Sequence, residues 1–174
     1  MKNYLGLILI IFLTGCTNNM KPTDFKNQKP RLIIEDFLSG NVKAWGILQN
    51  RSGKVTRQFS ADLSGNWNGK QLVLDEKFNW SDGEVQTRQW KISKIDDHNY
   101  EGTAEDVVGT AKGFSYGPAF KFEYVLLVPV KGKNIKISFD DWIFKQDDSI
   151  AINRAKITKF SFKVAELTVL FSKH

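Results

Sequence analysis

Apolar and polar residues alternate along most of the chain after residue 41, which is the period-two pattern of strands that bury one face. Short clusters of Gly, Asn, Asp and Ser interrupt the alternation, and such clusters favour tight turns. The 3.6-residue period of an amphipathic helix is missing here, and only residues 32–38 are compatible with a short helix. The pattern predicts an all-β domain of about eight to ten antiparallel strands.

Turn chemistry in the first half of the domain predicts two strand registers. A two-residue turn at Ser52-Gly53 places Gly46 opposite Phe59, where an aromatic ring can cover the glycine. A three-residue turn at residues 81–83 keeps the apolar faces of the next two strands together, whereas a two-residue turn would separate them. The pairs expected from the second turn are Leu72 with Ile92, Leu74 with Trp90, and Glu76 with Arg88.

Two turns in the second half, over residues 131–134 and 146–149, predict the pairing of three further strands. The expected pairs are Val128 with Ile137, Leu126 with Phe139, Phe122 with Ile143, and Ile143 with Ile152. In these registers Tyr124, Asp141 and Arg154 form one row across neighbouring strands, on the face that otherwise carries Phe, Ile, Leu and Val. The sequence therefore predicts a polar row inside the domain.

The two strand faces differ enough to predict the architecture. One face is aromatic and aliphatic, and the other carries Lys, Glu, Asp and Ser, which indicates an antiparallel up-and-down, lipocalin-like (calycin-like) barrel with a filled or ligand-holding interior. A transmembrane barrel needs an apolar outer band facing lipid. Charged residues at the outward positions argue against such a band: Lys91, Lys121, Glu123 and Lys136.

The N-terminal segment has the order of a bacterial lipoprotein signal. Lys2 precedes the apolar residues 5–13, and Leu13-Thr14-Gly15-Cys16 resembles the lipobox, in which the cysteine receives a diacylglyceryl group. The alternatives are an ordinary secretory signal and an uncleaved anchor, but the apolar run is short of the ~20 residues of a membrane span. We expect a signal peptide at 1–15, a lipidated Cys16 with a flexible tether at 16–31, and one barrel domain at 32–174.

The location follows from the same segment and from the charge. In Gram-negative lipoproteins an Asp after the cysteine tends to retain the protein at the inner membrane, so Thr17 favours the outer membrane, with the domain facing the periplasm. The chain has 25 Lys and Arg against 19 Asp and Glu, a net charge of +6. This excess suits anionic lipid headgroups. The basic residues are scattered rather than clustered, so nucleic acid is not expected as a partner.

Catalytic and metal motifs are weak in this sequence. Residues 113–117 match G-x-S-x-G, but Pro118 and a predicted strand follow where a nucleophile elbow needs a helix. With Cys16 as the single cysteine and two distant histidines, no zinc spacing exists. Asp140 and Asp141 are adjacent in a strand and point to opposite faces, so they cannot chelate together. The sequence predicts no cofactor, no metal and no catalytic residue.

The candidate site is the set of polar residues expected inside the barrel: Glu76, Arg88, Tyr124, Asp141 and Arg154. Charges on a buried face are costly unless they are paired. One interpretation is structural, with paired charges that fix the strand register. Another is a polar floor that receives the carboxylate or phosphate head of a lipid or fatty acid, since Arg binds such groups through a bidentate fork. A third gives Asp141 or Glu76 a general acid–base role.

The predicted row implies a protonation state for Asp141. Burial raises the pKa of a carboxyl group, whereas a neighbouring cation and a phenol donor lower it. With Arg154 and Tyr124 both in reach, we expect the partners to prevail and Asp141 to be ionised at neutral pH. Loss of Arg154 would then cost ~3–5 kcal/mol, as for other broken buried pairs.

Several motifs in order resemble the bacterial lipoprotein family catalogued as domain of unknown function 3833, over about residues 37–171. They are Glu76-Lys77-Phe78, Asp82-Gly83, Arg88-Gln89-Trp90, residues 106–111, Asp140-Asp141-Trp142, Asn153-Arg154 and Lys159. Ser161 departs from the glycine that the family often has after its Lys-Phe pair. The family has no agreed activity, and its frequent encoding near fatty-acid-modifying enzymes implies a lipid connection by association. Gly65-Asn66-Trp67 also resembles the lipocalin Gly-x-Trp, but it falls at a later turn.

Three functions are compatible with the sequence. The first is an envelope lipoprotein that binds a lipidic or apolar ligand in its barrel. The second is a barrel enzyme that rearranges or hydrates a lipid with Asp141 or Glu76, and the third is a ligand-free module that positions partners at the membrane. A packed interior would reject the first two. Among these three functions, the sequence favours ligand binding over catalysis.

Overall fold

A computed structural model describes residues 20–130 and 132–173 of the chain. The predicted signal peptide, the lipobox and Cys16 lie outside this part. Within it, no helix is long and apolar enough to cross a membrane. The ten strands, the short helix at Ile34–Leu38 and the buried core of the described residues all lie between Leu32 and Lys173.

Ten antiparallel strands form one closed barrel in which each strand pairs with its neighbours in sequence and β1 pairs with β10. The strands are β1 (Gly40–Asn50), β2 (Val55–Trp67), β3 (Gln71–Trp80), β4 (Val85–Lys94), β5 (Asn99–Thr103), β6 (Ala111–Tyr116), β7 (Ala119–Val130), β8 (Lys133–Lys145), β9 (Ile150–Lys159) and β10 (Phe162–Lys173). This arrangement confirms the predicted up-and-down, lipocalin-like barrel. Closure gives every strand a neighbour on each side, although the short strands β5 and β6 pair with only part of β4 and β7.

A short helix, α1 (Ile34–Leu38), closes the end of the barrel where β1 begins, which we call the plugged end. Its apolar side chains are buried, and together with Leu32 they belong to the core that fills the barrel interior next to the plugged end. Glu35 is 3% exposed. It is held by an ion pair with Lys94 (Nζ–Oε1 2.7 Å) and by a hydrogen bond from the Tyr100 hydroxyl (2.9 Å), so the helix is tied to two strands.

Residues 20–31, the described part of the predicted tether, pack on the barrel. A 3₁₀ turn at Pro22–Phe25 places the Phe25 ring 6.0 Å from that of Trp142 and 5.4 Å from that of Phe144, on the outer face of β8. The Leu32 amide then donates to the Gly117 carbonyl, and the chain enters the barrel interior.

The registers predicted in the first half are confirmed. Gly46 lies opposite Phe59, and a Cβ on Gly46 would come 2.3 Å from that ring, so the aromatic side chain fills the space that glycine leaves. The turn itself is longer than predicted, and a bulge at Leu48/Gln49 restores the register. The pairs predicted across β3 and β4 are all present: Leu72 with Ile92, Leu74 with Trp90, and Glu76 with Arg88.

The predicted register of β7 and β8 is wrong by two residues. The strands pair as far as Val130 with Lys133, so the connection is shorter than the four residues expected. The observed pairs are Val128 with Ile135, Leu126 with Ile137, Tyr124 with Phe139, and Phe122 with Asp141. An even shift keeps every side chain on its face, so Tyr124 and Asp141 still point inward.

The predicted register of β8 and β9 is wrong by one residue, which has a larger effect. Ile143 pairs with Asn153 instead of Ile152. The connection has the expected residues 146–149, but Lys145 pairs with Ala151 and Gln146 bonds to Ile150, so the two strands turn about Asp148. In this turn the Asp147 carboxylate accepts hydrogen bonds from the Ser149 and Ile150 amides. An odd shift exchanges the two faces of β9.

Candidate functional site

The barrel encloses a cavity of about 120 Å³ above α1. Its walls are mostly aromatic and aliphatic, contributed by residues such as Phe59, Phe78, Trp90, Phe120, Phe122 and Leu74. One side of the cavity is polar and consists of Glu76, Arg88, Tyr124, Asp141 and Asn153. A concave apolar space with a few converging polar groups is the usual form of a small-molecule site.

Asp141 lies at the centre of one hydrogen-bond group on this polar side. The Tyr124 hydroxyl donates to Oδ2 at 2.6 Å, and the Asn153 side-chain amide donates to Oδ1 at 2.7 Å. Asn153 also contacts the Trp142 carbonyl oxygen at 3.3 Å, and the Tyr124 ring stacks on Phe139 with a 5.0 Å centroid distance. Both carboxylate oxygens of Asp141 therefore have protein donors.

Burial raises the pKa of Asp141 above its ordinary value. The hydrogen bonds from Tyr124 and Asn153 act in the opposite direction but do not offset burial. The expectation that the partners would prevail is therefore wrong, because the cation assumed to face Asp141 is not there. Burial also raises the pKa of the Tyr124 hydroxyl well above its usual range, and the adjacent Asp141 carboxylate adds to this effect, so Tyr124 is a hydrogen-bond donor at neutral pH.

Arg154 does not lie in the predicted interior row. It pairs with Trp142 on the outer face of the sheet, and its side chain is 66% exposed. Its nearest carboxylate is Glu166, at 3.4 Å from the guanidinium. The one-residue shift on β9 accounts for this position, and Asn153 occupies the inward place instead.

Arg88 forms the second polar group together with Asp106. Its guanidinium contacts both Asp106 oxygens, with Nη2–Oδ2 at 2.7 Å and Nε at 3.1 Å from each oxygen, which is a bidentate pair. Glu76, directly across from Arg88, is 4.0 Å from Nη1. One cation therefore faces three carboxyl groups, those of Asp106, Glu76 and Asp141.

The acidity of Glu76 is strongly changed by its surroundings. Burial raises its pKa from 4.5 to about 7, with Arg88 lowering it and the carboxylates of Asp141 and Asp106 raising it. The Glu76 side chain is 13% exposed. A carboxyl group that titrates near neutral pH can either accept or donate a proton under physiological conditions.

Asp106 belongs to the segment 104–110, which covers a gap in the barrel wall. β5 and β6 are short, so the first half of β4 and the second half of β7 are joined by this segment. The Leu127 amide donates to the Asp106 carbonyl and the Val108 amide to the Val125 carbonyl, both at 2.8 Å. Glu76 and Arg88 line both the cavity and an open outer depression of about 1320 Å³, so they form the boundary between the two.

The structure thus brings together four of the five predicted interior residues and adds two that the sequence analysis did not include. Asn153 could not be chosen because both faces of β9 carry apolar residues, with Ile150 and Ile152 alternating with Ala151 and Ala155. Asp106 lies in a segment with no strand pattern, where no register argument applies.

The comparisons with known proteins agree with this architecture. The model of a family described as "Protein of unknown function (DUF3833)" matches residues 10–173, which is nearly the whole chain. This match confirms the family resemblance found in the sequence motifs. No curated protein matches the chain significantly.

Two solved structures share the fold at low sequence identity. An S-type phycobiliprotein lyase from Guillardia theta is similar with a TM-score of 0.57 and 7% identity, over 79% of this chain and 88% of the lyase. A protein of unknown function from the DUF3598 family of Nostoc punctiforme has a TM-score of 0.62 and 13% identity, over 84% of this chain. The match spans 51% of that protein, about half its length. These likenesses establish the barrel fold.

Proposed function

The chain belongs to the family of proteins of unknown function DUF3833, and we propose that it binds an apolar or lipidic ligand inside its barrel. The cavity is the observation that carries this proposal. Its aromatic and aliphatic walls favour an apolar ligand, and the polar groups on one side can orient it. The phycobiliprotein lyase with the same fold supports a ligand-handling role by analogy of architecture alone.

The volume limits what can be enclosed. Pockets that hold whole drug-sized ligands measure roughly 300–1,000 Å³, whereas an apolar cavity of roughly 150 Å³ binds a single benzene. The cavity of about 120 Å³ therefore suits one small ring or a short segment of an acyl chain. The rest of a longer ligand would extend past the polar side toward the open depression that Glu76 and Arg88 border.

The charges on the polar side select the ligand's polar group. Arg88 is already engaged by both oxygens of Asp106, and Glu76 and Asp141 add two more carboxyl groups. A carboxylate or phosphate head would meet three carboxyl groups and a cation that is already paired. We therefore propose a neutral head that donates hydrogen bonds, such as a hydroxyl, in place of the acidic head expected from the sequence.

Native mass spectrometry of the chain from Met20, purified from bacteria, tests ligand binding directly. We expect a co-purifying lipid, and its amount should fall in Ala44→Leu, which fills part of the cavity from a lining position. Ser60→Leu, on the exposed face of β2, is the matched control and should retain the lipid. Equal lipid content in all three proteins would refute binding in the cavity.

Titration with a fatty alcohol and a fatty acid of equal chain length tests the head group. The alcohol should bind more tightly at pH 7.5. Asp106→Asn removes one carboxylate and leaves Arg88 available, so it should shift the preference toward the acid. Asp97→Asn, an exposed position on the turn between β4 and β5, should leave the preference unchanged. Tighter acid binding by the unaltered protein would refute the proposed head group but not binding in the cavity.

We also propose that the protein is a lipoprotein of the bacterial envelope, anchored through acyl chains on Cys16 and facing the periplasm from the outer membrane. The lipobox at residues 13–16 and the net charge of +6 support this placement. Labelled palmitate should be incorporated into the wild-type chain and not into Cys16→Ser. Undiminished labelling of that variant would refute the anchor.

A second candidate is an enzyme that acts on a lipid by proton transfer. The pKa of Glu76 at about 7, beside Arg88 and at the edge of the cavity, favours this role for Glu76 over Asp141, whose two oxygens are both hydrogen-bonded. Turnover of any lipid in a panel, abolished in Glu76→Gln and kept in Asp62→Asn, would establish it. Binding without turnover would leave the ligand-binding role.

A further inference from the structure

Four tight turns and the segment 104–110, which carries Glu105 and Asp106, form the end of the barrel opposite α1. We call the four tight turns the rim: residues 50–55, 80–85, 130–133 and 159–163. Every one of these turns exposes at least one large apolar side chain. They are Val55, Val85, Val130, Phe160 and Phe162. Among the described turn residues of the plugged end, Ile95 is the exposed large apolar residue.

The most exposed of these side chains lie on the turn between β9 and β10. Phe160 is 83% exposed and Phe162 is 74% exposed. Phe160 and Ser161 form a two-residue turn with φ of 50° and 66°, in the left-handed region that favours glycine and asparagine. A bulky residue is strained in this conformation, so fold stability gives no reason for a phenylalanine here.

The two ends of the barrel also differ in charge. The described rim residues include five cations against two carboxylates: Arg51, Lys54, Lys133, Lys159 and Lys163, with Asp82 and Glu84. Both rim carboxylates contact Arg57, each at 2.7 Å. Counted with the same bounds, the turns of the plugged end carry three cations, Lys70, Lys94 and Lys145, against four carboxylates, Asp96, Asp97, Asp147 and Asp148.

We propose that the rim docks onto an anionic lipid surface, with Phe160 and Phe162 inserted among the headgroups. Apolar side chains on separate turns present several points rather than one flat patch, which suits a deformable surface better than a rigid protein partner. The flanking lysines supply attraction to anionic headgroups, and the aromatic rings supply apolar burial. The proposal does not depend on ligand binding in the cavity.

The position of the rim also determines how the barrel would be oriented relative to the membrane that anchors it. The 3₁₀ turn at Pro22–Phe25 packs at the plugged end, so the chain reaches the barrel there. A barrel anchored from that side would direct its rim away from the anchoring membrane. Docking of the rim would therefore involve a second lipid surface, and its measurement must be made without the anchor.

Vesicle flotation measures binding of the protein to lipid vesicles. It is done with the chain from Met20, which contains all ten strands of the closed barrel. Binding to vesicles of phosphatidylcholine with a quarter phosphatidylglycerol should exceed binding to pure phosphatidylcholine. The double change Phe160→Ser with Phe162→Ser should lower the partition coefficient at least tenfold. The matched double change Ile95→Ser with Ile152→Ser removes exposed apolar residues elsewhere and should leave it unaltered.

Charge is tested with a second pair of variants. Lys159→Gln with Lys163→Gln should weaken binding to the anionic vesicles severalfold and leave the weak binding to neutral vesicles as it was. Lys26→Gln with Lys70→Gln removes the same charge from exposed positions outside the rim and should have no effect. Equal losses in both pairs would contradict docking by the rim.

A site-specific probe fixes the orientation. Cys16 is the single cysteine, so Ser161→Cys in the chain from Met20 takes one environment-sensitive fluorophore at the rim. Its emission should shift to the blue on addition of anionic vesicles, whereas the same label at Asp148→Cys, a fully exposed position of the plugged end, should not shift. Equal shifts would overturn the proposal. So would a concentration-dependent dimer that the Phe160 and Phe162 changes abolish, because the rim would then bind a second copy.

Discussion

The Tyr124 hydroxyl donates a 2.6 Å hydrogen bond to Asp141, although Tyr124 is paired across the strands with Phe139. The phenol reaches the carboxylate diagonally, over the ring stack that Tyr124 forms with Phe139. Phe122 stands opposite Asp141. The contact therefore survives a two-residue error in the predicted register, because both side chains keep their inward direction.

Removal of that hydroxyl by Tyr124→Phe should lower the free energy of unfolding by ~1–2 kcal/mol at pH 7, as measured with urea. The ring and its stacking remain, while Oδ2 of Asp141 loses its donor. The pKa of Asp141 should rise further, because one of the two hydrogen bonds that oppose burial is gone. In a double-mutant cycle with Asp141→Asn the two changes should be clearly non-additive. Additive effects would show that the hydroxyl stabilises the fold by another contact.

Asn153 and Arg154 provide a direct comparison of the two faces of β9. Asn153→Ala removes a buried amide that donates to Asp141 at 2.7 Å, and we expect a loss of ~1–3 kcal/mol in unfolding free energy. Arg154→Ala affects an exposed guanidinium 3.4 Å from Glu166 and should cost less than ~0.5 kcal/mol. A cost of several kcal/mol for Arg154→Ala would restore the register that the structure contradicts.

These residues also mark how far the sequence predicts the site. Glu76 and Arg88 could be paired because the Gly83 turn allows one register that keeps Leu74 and Trp90 on the same face. Gly46 and Phe59 could be paired because a glycine on a strand needs a ring to cover it. For Glu76 and Arg88 the local turn and the packing requirement agree, whereas for Gly46 and Phe59 the turn is longer than predicted and the bulge at Leu48/Gln49 restores the pair.

The remaining residues depend on contacts that no local pattern encodes. Hydrogen bonds to the Asp147 carboxylate accompany the observed β8–β9 register, and the predicted turn residues 146–149 alone do not show it. Because β9 has apolar residues on both faces, the alternation does not identify its inward face either. Asp106 reaches Arg88 only because β5 and β6 are short and the connecting segment folds across the gap. The ten-stranded architecture depends on alternation alone and is insensitive to such shifts.

Glu35→Gln should loosen the attachment of α1 and lower the unfolding free energy by ~1–3 kcal/mol at pH 7. Burial raises the pKa of Glu35, but the hydrogen bonds from Lys94, the backbone and Tyr100 outweigh it and leave the pKa below its usual value. Because the folded pKa is the lower one, the stabilisation is present above the unfolded pKa of about 4.5 and is lost as the pH falls through the folded pKa.

The difference between Glu35→Gln and the unaltered protein should therefore shrink in acid, measured by urea unfolding between pH 3 and 7. Asp36→Asn, the exposed neighbour on the same helix, is the matched control and should show a small, unrelated effect. A difference that grows on acidification would contradict the proposed ion pair.

The stability that Glu76 contributes should depend on pH in the opposite direction to that of Glu35. Its pKa is about 7 in the folded protein and 4.5 in the unfolded chain, so between these values the folded state holds a proton that the unfolded state has released. Stability contributed by the protonated carboxyl is complete below about pH 4.5 and is lost as the pH rises through about 7. The shift corresponds to roughly 3 kcal/mol. Glu76→Gln keeps the shape and hydrogen-bonding capacity of the neutral form and cannot ionise.

The variant should therefore match the wild-type protein near pH 4 and exceed its unfolding free energy by ~1–3 kcal/mol at pH 8, in urea titrations at each pH. Exposed Glu105→Gln removes the same formal charge and is the matched control. Subtracting the wild-type curve cancels the titrating groups that do not interact with Glu76, so the difference reports Glu76 together with the carboxyl groups beside it. A difference that is flat from pH 4 to 8 would mean that Glu76 titrates alike in both states, and the general acid–base role would lose its main support.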